Sequence, residues 1–182
     1  MTITPDDKDW TWVLDKRCGE CGFDASAADA KNVADQLRDN AADWQRILAV
    51  GSADDLRRRP SPDKWSAVEY GCHVRDVFRK YDGRLQLMLT EDDPLFANWD
   101  QDATAIEERY AEQDPATVSA QINEAAQSLA HGFDSVEDDE WDRPGRRSDG
   151  ARFTIDTFAR YFIHDPIHHL YDVTGEAYGG DA

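Results

Sequence analysis

Apolar residues recur at helical spacing in four stretches of this chain, and a sequence patterned in that way has few folds open to it. The first stretch carries Val33, Leu37, Ala41, Trp44 and Leu48, with Ser26 as the expected opening and Gly51 as the stop. The second opens on a capping box, Ser66-x-x-Glu69, in which each side chain reaches a backbone donor left unpaired by the first turn. Trp65 and Tyr70 flank that box as a hydrophobic staple, and the stripe runs on through Val74, Val77, Phe78, Tyr81, Leu85 and Met88. Gly83 costs this helix about 1 kcal/mol relative to alanine without ending it. Asp114-Pro115 places a cap and a first-turn proline ahead of Val118, Ile122, Ala125, Leu129 and Phe133. Thr154 caps the fourth stretch, with Phe153 and Phe158 as a second staple, Ile155, Phe162 and Ile163 on the core face, and Gly175 as the stop.

Helices of roughly 18–25 residues, joined without hairpin-spaced strands, predict an all-α four-helix bundle with one long crossover. Residues 92–114 form a long connection with a short helical pattern near Ile106 to Tyr110, and a polar stretch from Ser135 carries a turn signal at Asp149-Gly150. Residues 1–25 read as an extended N-terminal strap, with Trp10, Trp12 and Leu14 alternating as in a short strand, ahead of a bundle spanning 26–175. The 182 residues make a single domain. Acidic residues number 38 against 20 Lys plus Arg, and the formal charge of −18 repels phosphate backbones and anionic headgroups. Nucleic acid and membrane are therefore not expected partners. Three cysteines, with no secretory pattern at the N-terminus, predict reduced thiols in a cytoplasmic protein.

Three of the five histidines lie between positions 164 and 169. On a continuous helix His164 and His168 stand at i and i+4 and can share a divalent ion. His73, in the second stretch, is the expected third ligand. Three imidazoles with an open fourth position describe a catalytic site, and such a set needs no thiolate, so one ion per chain is expected. The pair lacks the glutamate of H-E-x-x-H. It requires the helix to pass through Pro166, against a cost of about 3 kcal/mol. His169 sits about 100° from His168 and is assigned to packing or a hydrogen bond, as is His131. Asp76 and Asp172 lie within one helical turn of His73 and His168, where a carboxylate can orient a bound imidazole, but solvated surface aspartates are the leading reading for each. Cys18-Gly19-Glu20-Cys21 has zinc-knuckle spacing, but no second C-x-x-C completes a closed thiolate site. Packing thiols or an oxidisable pair are the leading readings there, with a second metal on Cys18, Cys21 and Cys72 as the alternative.

Two segments, Trp65-Ser66-Ala67-Val68-Glu69-Tyr70-Gly71-Cys72-His73-Val74-Arg75-Asp76 and Tyr161-Phe162-Ile163-His164-Asp165-Pro166-Ile167-His168-His169-Leu170, resemble the DinB-like (DinB/YfiT) superfamily. With Cys18 and Cys21-Gly22-Phe23-Asp24, the similarity is to an actinobacterial branch related to mycothiol-dependent transferases. The resemblance implies up-down-down-up topology, frequent homodimers, and zinc or nickel held on His73, His164 and His168. It implies a metal-dependent thiol S-transferase that turns mycothiol or a related thiol on small electrophiles, with Trp99, Asp100 and Tyr110 near the metal as walls of the thiol site. Hydrolysis of small esters or amides by the same metal, or a non-enzymatic metal or thiol stress role, are the alternatives.

Overall fold

The computed structural model describes residues 9–179. Helices α1 (Val33–Ala49), α3 (Ala67–Thr90), α5 (Pro115–Asp134) and α6 (Ile155–Thr174) are the four long elements, joined by the short α2 (Ala53–Leu56) and α4 (Gln101–Glu107). They pack as the expected bundle: α1 and α3 each lie against both α5 and α6. Trp44, Phe78, Leu85, Ile122, Leu129, Phe158 and Phe162 fill the centre and are fully buried. Gly71 permits the close approach of α3, since a Cβ there would meet Leu48 and Val118 at 3.3 Å. Among the described residues no helix is long and apolar enough to cross a membrane.

The capping signals of α3, α5 and α6 act where they were expected. Ser66 accepts from the Glu69 amide and Glu69 from the Ser66 amide, and the rings of Trp65 and Tyr70 lie 5.5 Å apart. Asp114 accepts from the Thr117 amide at 2.9 Å. The first helix starts later than expected, because Ser26 turns onto the Asp24 carboxylate (2.5 Å). Asp29 caps a 3-10 turn at Ala30–Asn32 that leads into α1. Helix α6 runs unbroken through Pro166, and Asn40 of α1 donates to the Pro166 carbonyl at 3.0 Å.

Two connections differ from the sequence expectation. The absence of strands does not hold: β1 (Leu95–Phe96) pairs parallel with β2 (Pro144–Arg147), which pairs antiparallel with β3 (Arg152–Thr154) through a turn at Gly150 (φ +101°). The sheet sits directly on α3, leaving no room for a side chain at Gly145, whose added Cβ would meet Met88 at 2.8 Å. The strap is not a strand either. Trp10–Leu14 form a 3-10 turn capped by Asp9, and the chain continues past Cys18 and Cys21 along α6. Residues 1–8 of the expected strap lie outside the described residues. Sheet and strap together bring the loops after β1 and β2, and the start of the strap, over one side of α6.

Candidate metal centre

Because α6 is continuous, its segment from His164 to His169 presents two i,i+4 pairs rather than one. His164 and His168 form the first, Asp165 and His169 the second, and the helix turns them about 100° apart. Each pair meets a different partner. His164 and His168 face Cys18 and Cys21 of the strap, and one ligand atom from each of these four residues lies within 4.8 Å of the others. Asp165 and His169 face His73 of α3 and satisfy the same distance limit as a separate trio. The set His73, His164 and His168 expected from spacing is therefore divided between two clusters.

The trio has metal-site dimensions. Asp165 Oδ1 lies 3.3 Å from Nε2 of His73 and 3.6 Å from Nε2 of His169. Donors bound to one ion at about 2.0–2.2 Å stand roughly 3.0–3.5 Å apart, so little movement is required. Both ring nitrogens of His73 and Oδ1 of Asp165 are buried atoms without a hydrogen bond of acceptable geometry. Orphaned donors and acceptors of this kind are costly unless something unites them. Asp172 takes the far nitrogen of His169, with Nδ1 and Oδ2 2.9 Å apart, which leaves Nε2 to face Asp165. Desolvation opposes ionisation of Asp165, but His73 and His169 outweigh it and hold its carboxyl well below the usual range. A charged oxygen and imidazole nitrogens converging on one point suit a divalent ion.

Aromatic rings pack against the trio. Trp99 stacks parallel to the His73 ring at 5.5 Å, Trp65 lies 5.4 Å from it, and Tyr70 lies 5.0 Å from His169. Asp165 and His169 border a cavity of about 1080 Å³, lined also by Trp99, Asp100, Arg84, Arg147 and Tyr161. Of the expected wall residues, Trp99 and Asp100 line this cavity. Tyr110 does not: it is buried behind α3, with its hydroxyl on Asp76 at 2.5 Å. Asp76 is thereby committed to Tyr110 and Arg75 rather than to His73.

In the quartet, Cys18 and Cys21 are buried, and Cys18 Sγ lies 3.7 Å from Nδ1 of His168. Burial, reinforced by the neighbouring His168, lowers the His164 pKa to about 4, and burial lowers that of His168. Burial pushes the Cys21 thiol up to about 12. Cys72 takes no part, lying instead against the Tyr110 carbonyl.

Spacing alone missed Asp165, His169 and Arg84. The second i,i+4 pair was visible one residue along from the first, but nothing in the sequence states which pair α3 meets.

A model of the DinB superfamily matches residues 36–173, well over half of the chain. The chain belongs to the DinB superfamily. Among solved structures it is similar to YfiT from Bacillus subtilis, described as a probable metal-dependent hydrolase with an unusual four-helix bundle topology. That similarity has a TM-score of 0.70 at 18% identity and covers 79% of this chain and 84% of the other. It is also similar to a mutant of the mycothiol-dependent maleylpyruvate isomerase, with a TM-score of 0.67 at 12% identity, covering 86% of this chain and 65% of that one. A search of curated proteins found no match.

Proposed function

We propose that this chain is a divalent-metal-dependent transferase that uses a low-molecular-weight thiol, mycothiol foremost, against small electrophiles. The observation that carries this reading is the trio His73, Asp165 and His169 at the edge of a cavity of about 1080 Å³. Pockets for one small ligand run to about 1,000 Å³ at most, so there is space for a thiol cosubstrate beside an electrophile. Similarity to a mycothiol-dependent isomerase supports the thiol, and the zinc or nickel expected from the resemblance suits these donors.

When bound, a divalent ion balanced by one carboxylate supplies residual positive charge, at which a thiol is deprotonated outright. The protein's own groups do the rest. Asp172 fixes the ring of His169, while Trp99 and Trp65 cover the ring of His73 against water. Arg84 is buried in the cavity wall over the rings of Tyr81 and Phe96, and it donates to the Ala97 carbonyl at 2.9 Å. No carboxylate among the described residues pairs with it, and a buried charge of this kind favours an anionic ligand. Arg147, braced by Tyr161 (3.0 Å) and Asp149 (2.7 Å), extends the cationic wall. The preferred electrophile therefore carries a carboxylate.

The test incubates metal-loaded protein with a carboxylate-bearing chromogenic electrophile, with and without mycothiol, bacillithiol or glutathione. Thiol-dependent turnover is expected, lost in His73→Ala by more than the ~100-fold that removing an orienting partner costs. Equal turnover without thiol would make the protein a hydrolase, and silence with all three thiols would overturn the reading.

A further inference from the structure

The proposed reaction uses none of the four side chains that join the strap to α6. We propose that Cys18, Cys21, His164 and His168 form a second, closed zinc site that fastens the strap to the bundle, separate from the His73 trio. Two sulfurs and two imidazole nitrogens lie within 4.8 Å of one another, in the donor composition of a tetrahedral structural zinc. Bound at about 2.3 and 2.0 Å, such donors stand roughly 3.3–3.8 Å apart. The Cys18–His168 contact, 3.7 Å, is already there, and side-chain rotation closes the rest.

Four details of the surroundings agree. His164 Nε2 is buried and has no hydrogen-bond partner, so a site without an ion would leave a polar atom stranded. His168 turns Nδ1 to Cys18 and Nε2 toward the Glu20 carboxylate, 3.4 Å away, which is the side on which an outer carboxylate commonly orients a metal-bound imidazole. The turn is tight: the Cys18 amide bonds the Phe23 carbonyl at 2.9 Å, the Gly22 amide bonds the Cys18 carbonyl at 3.1 Å, and Gly22 takes φ +78°. Finally, the Trp10 ring covers both imidazoles at 5.6 and 5.4 Å.

Charge separates the two centres. Two thiolates cancel a divalent ion, so the filled quartet is neutral, whereas the trio retains positive charge; His164 and His168 of the one and Asp165 and His169 of the other all border the cavity. Each thiol that is protonated releases its S–H proton to solvent as the ion enters, and no group is oxidised or reduced. A Cys18–Cys21 disulfide would leave the two imidazoles facing sulfurs that no longer ligate. The filled site would hold Asp9, Trp10 and Thr11 of the strap in the cavity wall, a positioning role.

The test is a metal count by mass spectrometry on reduced protein, with cobalt substitution as a second measurement. Two zinc ions per chain are expected, falling to one in Cys18→Ser/Cys21→Ser and to one in His73→Ala. Cobalt-loaded wild-type protein should show the near-ultraviolet charge-transfer band of thiolate bound to cobalt. His73→Ala should keep that band, and the double cysteine variant should lose it. A folded wild-type protein without the band would overturn the proposal, as would a zinc count that the cysteine changes leave unaltered. Turnover is not part of this measurement, so the second site stands or falls independently of the thiol chemistry.

Discussion

Asp172 holds Nδ1 of His169 at 2.9 Å while standing 4.0 Å from Nε2 of His168, so one carboxylate between adjacent histidines favours one of them. Removing it should free the His169 ring while leaving the four ligand residues of the cysteine cluster in place. Asp172→Ala is expected to weaken metal binding at the His73 trio by about 10–100-fold, with Asp172→Asn intermediate because an amide oxygen can still accept. Competition with a chelator of known affinity measures this, and an unchanged affinity would show that the ring needs no such support. The same residues show what can be read from a sequence. The histidines, their helical spacing and the passage through Pro166 were legible, because i,i+4 geometry is local. The choice between two pairs one residue apart was not, since a helix presents both. Only the packing of α3 and the strap against α6 settles which pair each of them meets.

At the level of elements, the caps of α3, α5 and α6 were readable because a cap is a contact between near neighbours. The sheet was not: β1 has two residues and β2 is Pro-Gly-Arg-Arg, too short and too polar for alternation to register. Its pairing joins segments some fifty residues apart. The α3 cap also has a pH signature. Glu69 is buried, and although desolvation opposes its charge, the Arg59 guanidinium and the Ser66 amide hold its pKa below 4.5. A lowered folded-state pKa gives stability that is complete above about 4.5, the unfolded value, and is lost as pH falls through the folded value. Glu69→Gln should therefore cost about 1.5–3 kcal/mol at neutral pH, the range for hydrogen bonds to a charged group. The difference from wild type should shrink in acid. Urea melts at pH 7 and pH 3 decide it, and a pH-independent difference would show that the charge contributes nothing.

Across the whole molecule, the apolar core and the proposed metals carry separate duties. The core from Trp44 to Phe162 is continuous without any ion, so exhaustive chelation should leave far-ultraviolet circular dichroism nearly unchanged. The strap, with less of its own core, should loosen. Tryptophan emission should shift to the red as Trp10 and Trp12 meet water, and proteolysis should begin within residues 9–23. Global unfolding on chelation would contradict this division. The overlapping pairs on α6 also bear on inheritance. From His164 to His169 only Pro166 and Ile167 are uncommitted to either cluster, and both are buried. Six adjacent codons thus carry two messages offset by one, and each can be erased without garbling the other. Among relatives of this chain, loss of Cys18 and Cys21 should accompany loss of His164 and His168, while Asp165 and His169 travel with His73. The ancestry of the two sites would then be written in separate columns of the same short stretch of helix.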